Sequence, residues 1–326
     1  MQSDPHGVLA FFQWNHNWNL FHFDDATRLR AMKQLQDIGL KSIRTDIYWA
    51  DVHRGPGQYD FSLYDAWIPQ LRAHGFDPLM LLHYNKFRNA PSGEEVWNHP
   101  PDSFDEFAGF VHAAVARYKS HVSRWEIWNE PNHPLYWTGP KDRLESYVRL
   151  LRLSRAAAKV ADPTCMVVNG GITEPILEDV ENFYAQGGKD LTDVMNIHTF
   201  VNPLDPKGRE RFDGIITGVR DIMEKHGDGK KRIWITEMGC PGIPKGLPPQ
   251  AWFSGEAMTE EQQADFLDQQ YDWIKDHPSV EKLFWAFYRD TEGTFKDATD
   301  HFGLVRLDLT PKAAFHRLAD RIRKAK

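Results

Sequence analysis

The chain has 326 residues, 41% of them hydrophobic and 26% charged, a composition that can bury a large core and carries no signature of disorder. Its net charge of −7 offers no basic surface for nucleic acid or anionic lipid, so the substrate is expected to be neutral, or at least not polyanionic. No window of about 18 uncharged apolar residues exists that could cross a membrane. The stretch from Met1 to Gly7 lacks the basic and apolar regions of a signal peptide, so the protein is expected either to be cytosolic or to have lost a leader. Of its two cysteines, Cys165 lies inside a predicted strand and Cys240 just past another, and both are read as buried thiols rather than as a disulfide.

Strand-like and helix-like segments alternate from the start. Gly7 to Trp14 is the first strand; Asp24 and Asp25 cap a helix to about Ile38, which Gly39 closes. Ser42 to Trp49 is the second strand, followed by the loop Arg54 to Gly57 and a helix from Phe61 to His74. Asp77 to Tyr84 is the third, and the long loop Asn85 to Pro101 after it is expected to wall a binding site. The helix Ser103 to Lys119 has one apolar stripe and leads into a fourth strand, Trp125-Glu126-Ile127-Trp128. The helix Arg143 to Ala161 precedes strand five, Cys165 to Asn169, which Gly170 and Gly171 turn. A helix near Pro175 to Tyr184 precedes strand six, Val194 to Phe200. Another, Gly214 to His226, precedes strand seven, which ends at Glu237. A proline-rich loop, Gly239 to Met258, forms a second expected wall, and Thr259 to Gln262 reads as a capping box. Val280 to Tyr288 is strand eight and Pro311 to Lys324 the last helix. Eight βα units without repeat or linker predict a (β/α)8 TIM barrel in which residues 1–326 form a single catalytic domain with no accessory domain.

Two of these strands end alike. Trp125-Glu126-Ile127-Trp128-Asn129-Glu130-Pro131-Asn132 is an aromatic run that stops at an Asn-Glu pair and a proline. Ile233-Trp234-Ile235-Thr236-Glu237-Met238-Gly239 is an apolar run that stops at a carboxylate and a glycine. A carboxyl at the end of a buried strand, walled by indoles, holds its proton tightly enough to act as an acid near neutral pH. Glycoside hydrolysis needs such a pair, one group to protonate the leaving oxygen and one to attack or to activate water.

With these carboxylates on strands four and seven, the chain resembles the clan A glycoside hydrolases. Its WxxWNEPN form, together with the strand carrying His198, is similar to glycoside hydrolase family 39 and its endo-acting bacterial relatives. The resemblance implies a retaining enzyme with Glu130 as general acid/base and Glu237 as nucleophile, Glu237 ionised and Glu130 protonated at the start. It implies that Asn129 grips the hydroxyl next to the anomeric carbon, that Arg44 donates to the nucleophile, and that His83 and His198 bind sugar hydroxyls. Trp285 matches the strand-eight platform under the sugar, with Trp14, Trp49, Trp137 and Trp252 extending it and Asn15-His16-Asn17 on the same face. Many clan members carry a tyrosine two residues after the strand-six histidine. Here the run is His198-Thr199-Phe200, so Tyr84 or Tyr288 is expected to supply that bond unless the strand-six register is shifted.

The implied substrate is a β-linked oligo- or polysaccharide, with an exo-acting, xylosidase-like enzyme as the variant reading, weakened by the absence of residues for the β-sandwich that larger members append. No cofactor is expected and oligomeric state stays open. Two other classes compete: a carbohydrate-binding barrel without catalysis, which loss of either Glu would signal, and a metal-dependent hydrolase prompted by the fifteen histidines. The latter lacks a His-x-His pair at strand one and a Glu-x-x-His bundle.

Overall fold

The expected alternation is present throughout the computed structural model, which describes residues 4–13, 24–139, 141–248 and 250–325. Its main sheet contains β1 (His6–Leu9), β2 (Ser42–Tyr48), β3 (Asp77–His83), β4 (Arg124–Ile127), β5 (Met166–Asn169), β6 (Met195–His198), β7 (Ile233–Met238) and β8 (Val280–Trp285). The strand order is β5-β4-β3-β2-β1-β8-β7-β6, and a parallel bridge from Ile172, just past β5, to Ile197 on β6 joins the two ends of that order. The principal helices are α1 (Asp25–Asp37), α2 (Ile68–Ala73), α3 (Phe104–Tyr118), α4 (Arg143–Ala161), α5 (Ile176–Ala185), α6 (Gly208–Lys225), α7 (Glu260–Trp273) and α8 (Ala313–Lys324), one after each strand. This is the (β/α)8 barrel fold. Trp14 and Asn15 to Asn17 lie outside the described residues.

Two helices differ from expectation. The segment from Phe61 to His74 is two pieces, Ser62–Asp65 and α2, parted at Trp67. Pro69 has no N–H to give to residue 65, so one continuous helix cannot run through it, and the fully buried Trp67 fills the break. Helix α6 begins six residues before Gly214. That glycine faces open space and costs a helix interior only about 1 kcal/mol, so it does not stop the helix. The predicted loop at Arg54 to Gly57 is a small antiparallel hairpin pairing His53 with Tyr59.

The chain gathers into two compact units, each discontinuous in sequence. The first comprises Met1–Arg44, Thr199–Thr217 and Trp234–Lys326. In it β1 pairs in parallel with the start of β2 (Leu9 opposite Arg44) and with β8 (Val8 opposite Trp285). Helices α7 and α8 pack side by side, clamped by Arg317 and Arg321 on Asp268 at 2.5 and 2.8 Å. Thr259 and Gln262 form the expected capping box on α7.

The second unit comprises Thr45–His198 and Gly218–Ile233. There β3, β4 and β5 pair in register, Leu82 opposite Ile127 and Ile127 opposite Asn169. Helix α3 buries the predicted stripe and sets Phe107 and Phe110 against the buried Trp49 at 5.4 and 5.9 Å between ring centroids. Cys165 and Cys240 are both buried and free. Among the described residues no helix is long and apolar enough to cross a membrane.

Candidate active site

In the second unit the chain leaves β4 through a strained turn: Trp128 and Glu130 have φ of 68° and 43°, in the left-handed region. Such backbone costs on the order of 1–3 kcal/mol per residue and persists only where the surroundings dictate it. Three contacts do so here. The Trp128 N–H is given to Leu82 O at 2.9 Å and its indole N–H to Tyr136 O at 2.9 Å. The turn after β5 presses so close that a Cβ on Gly170 would meet Trp128 O at 2.5 Å. Asn132 then ties the loop down, donating to Thr173 O and to Asp179 Oδ2, each at 2.7 Å, and accepting from Thr173 N at 3.2 Å. Burial raises the Asp179 carboxyl above its usual value, against the lowering effect of that amide.

The strained turn delivers Glu130 to His198. Glu130 Oε1 lies 2.8 Å from Nδ1 of His198, which is fully buried at the end of β6. The imidazole is pressed against Gly171, where a Cβ would come within 2.0 Å of Nε2. Beneath it, Asn196 donates to Glu126 Oε1 at 3.0 Å and to Asn169 O at 2.9 Å, so β4, β5 and β6 share one buried polar network.

Also in this unit, His83 Nε2 lies 2.9 Å from Asp46 Oδ2, both side chains 3% exposed. The His83 ring stacks on Tyr84 at 4.1 Å, and Tyr84 meets Trp97 edge-on at 4.9 Å. Asn129 is buried beside Glu130 in the chain. The wall after β3 is anchored by ion pairs of Lys86 with Glu106 and of Arg88 with Asp51, Arg88 lying over the Tyr48 ring at 4.6 Å. Burial pushes the Asp51 carboxyl up despite that arginine.

In the first unit, the fully buried Arg44 reaches the end of β7 and its Nη1 donates to Glu237 Oε1 at 2.5 Å. A permanently charged guanidinium bonded to a buried carboxylate is a strong charge-assisted pair, and each ion offsets the cost of burying the other. The Glu237 carbonyl accepts from Thr199 N at 3.1 Å and the Met238 carbonyl from Ala286 N at 2.9 Å, which fixes the strand end.

Several expected binding residues are enclosed by protein. Trp285 is fully buried, with its indole N–H given to Phe302 O at 3.0 Å. Trp137 is likewise enclosed, edge-on to Trp128 at 4.9 Å and to Tyr147 at 5.9 Å. Tyr288 gives its hydroxyl to Gln34 of α1 at 2.6 Å and is not the donor expected near the nucleophile. Trp252 is 5% exposed, its N–H given to Glu256 O; its neighbour Phe253 is the ring that faces outward.

Sequence reasoning missed Asp46 and Asn132. Each carried a signal: Asp46 stands two residues after Arg44, hence on the same face of a strand, and Asn132 closes the Asn-Glu-Pro-Asn motif. Each unit thus holds one paired carboxylate, Glu237 with Arg44 in the first and Glu130 with His198 in the second.

A family model described as glycosyl hydrolase catalytic core matches residues 97–302. The aryl-phospho-beta-D-glucosidase BglA of Bacillus subtilis is 27% identical over 109 residues, which are 32% of this chain and 23% of that protein. The chain thus spans about a quarter of the length of the curated relatives it matches. Among solved structures, a family 39 glycoside hydrolase from Bacteroides cellulosilyticus superposes with a TM-score of 0.69 at 19% identity, over 98% of this chain and 63% of that one. A glucosidase from Croceicoccus marinus gives 0.71 at 16% identity, over 99% and 68%.

Proposed function

The chain belongs to the glycosyl hydrolase catalytic-core family, and on that premise we propose that it cleaves β-glycosides with retention, Glu130 serving as acid/base and Glu237 as nucleophile. The observation that carries the assignment is the asymmetry of the two carboxyls' partners. Glu237 is bonded to Arg44, which cannot give up its charge, so its carboxylate is kept ready for attack. Glu130 faces an imidazole, which can share a proton with it at physiological pH. Two carboxyls held in unlike environments are what an acid and a nucleophile require.

In this reading Glu237 attacks the anomeric carbon while Glu130 gives its proton to the glycosidic oxygen. The C–O bond breaks, the aglycone leaves as an alcohol and a glycosyl ester forms on Glu237. Glu130, now a base, takes a proton from water, whose oxygen attacks the same carbon and frees Glu237. Asn129 holds the neighbouring hydroxyl, a bond that strengthens as charge develops. His83, oriented by Asp46, and Tyr84 bind further hydroxyls. We take residues 1–326 to act as one catalytic domain. A β-glucoside is the first substrate to try, since one curated relative is named as an aryl-phospho-β-glucosidase. A polysaccharide cleft loses support because Trp49, Trp137 and Trp252, expected to extend platforms along it, are buried.

Glu130→Gln and Glu237→Gln are each expected to lower kcat on an aryl β-glycoside by about a thousand-fold or more. Azide should rescue Glu237→Gly with an inverted glycosyl azide as product, and NMR of the fresh wild-type product should show the β anomer. Wild-type turnover in either Gln variant, or an α product from the wild type, would remove the assignment.

A further inference from the structure

In the first unit, six aromatic residues gather beside the strand end that carries Glu237: Phe200, Trp252, Phe253, Phe287, Phe295 and Phe302. Two main-chain bonds put them there. Thr199 N donates to Glu237 O at 3.1 Å, which sets Phe200 next to that strand, and Ala286 N donates to Met238 O at 2.9 Å, which sets Phe287 on its other side. Phe253 lies edge-on to Phe200 at 5.2 Å and to Trp252 at 4.8 Å. Phe287 contacts Phe302 at 6.2 Å and is nearly parallel to Phe295 at 6.0 Å. Phe302 is 1% exposed and Phe253 63%, so the group has a buried floor and an open rim.

Its chemistry is one-sided. The rings carry a single polar hydrogen, Nε1–H of Trp252, and that is committed to Glu256 O at 3.1 Å. Subsites for sugars combine a stacking face with converging polar groups, and a hydroxyl removed from water without a partner is destabilised. An aryl or alkyl group needs no such partners, and it would cover a phenyl ring otherwise left in water. We propose that the substrate carries an apolar aglycone seated on this wall, which makes the protein a hydrolase of aryl or alkyl glycosides rather than of glycans. This rests on the hydrolase reading above and names the leaving group that reading left open.

The test is titration calorimetry on the Glu130→Gln variant with octyl and methyl β-D-glucoside and the matching β-D-xylosides, all below the micellar concentration. Each methylene taken out of water is worth about a factor of four, so a half-buried octyl chain should bind roughly 30- to 100-fold more tightly than methyl on the preferred sugar. Phe253→Ser in the same background should cut that ratio about tenfold; the exposed side chain makes the substitution compatible with the fold. Equal or undetectable affinity for the octyl glycosides, or a ratio indifferent to Phe253→Ser, overturns the proposal. Because binding is read without turnover, an inactive wild type that still prefers octyl defeats only the hydrolase reading. An active wild type without the preference defeats only this one.

Discussion

Gly171 has a consequence out of proportion to its size. A methyl group there would lie 2.0 Å from His198 Nε2 and 2.2 Å from Cδ2, both far inside van der Waals contact, so the ring that holds Glu130 would have to move. In the reading proposed above Glu130 is the acid/base, and misplacing such a group by about 1 Å costs on the order of a hundred-fold in rate. Gly171→Ala should therefore lower kcat/KM by about that factor and shift the pH–rate profile while the circular dichroism spectrum stays native; an unaltered profile would detach His198 from the acid/base. Residues of this kind divide by how they announce themselves. That Arg44 pairs with Glu237 was legible because a charge in an otherwise apolar strand needs a partner. The burial of Trp285 was not legible because strands of a parallel barrel are covered on both faces, so their hydrophobic runs show no alternation that tells the inner face from the outer. All seven residues of β2 are buried, for example. The orientation of an indole in such a run depends on packing that only the folded chain reveals.

Elements were legible where capping chemistry is local. Asp24 accepts from Thr27 N, and Thr259 and Gln262 close the capping box that the sequence showed. The long segment after β8 was not, because its organiser works across distance: Asp300 accepts from Thr291 Oγ1, Gly293 N, Thr294 N and Phe295 N, at 2.5 to 3.1 Å, and so fixes Phe295. Nearby, Lys312 Nζ is buried on Asp290 Oδ1 at 2.8 Å. Between β5 and β6, Asp193 has a comparable task, accepting from Val167 N at 2.7 Å and Arg155 Nη2 at 2.8 Å. Burial works to raise its carboxyl, but these donors outweigh it and hold the group below the usual value. A lowered native value means that its stabilisation is complete above the unfolded pKa of about 4 and fades as pH falls through the native one. Thermal melts should therefore show Asp193→Asn less stable than wild type by a steady margin from pH 5 to 7, the two curves converging below about pH 4. Parallel curves down to pH 3 would show that the carboxylate contributes nothing as an anion.

The whole molecule was legible in its alternation, since eight βα units leave few topologies open, and the (β/α)8 fold has its helices one after each strand. What the alternation did not disclose is the interleaving of the two compact units. Residues 45–198 run uninterrupted in the second, whereas the first joins the opening 44 residues to stretches beginning at Thr199 and Trp234. The order in which the ribosome releases the chain turns this into a schedule. The second unit emerges nearly whole, while β1 waits for β8, its partner from His6 to Val8, and Arg44 waits for Glu237. Domains fold as they emerge, at about 5–20 residues per second, so nascent chains arrested with Ile233 just outside the tunnel should yield a protease-resistant core from residues 45–233 and a clipped amino-terminal segment. A message truncated before the codons for Val280 to Trp285 would thus encode a polypeptide whose second unit can mature although the first, left without the strand that pairs with β1, never does.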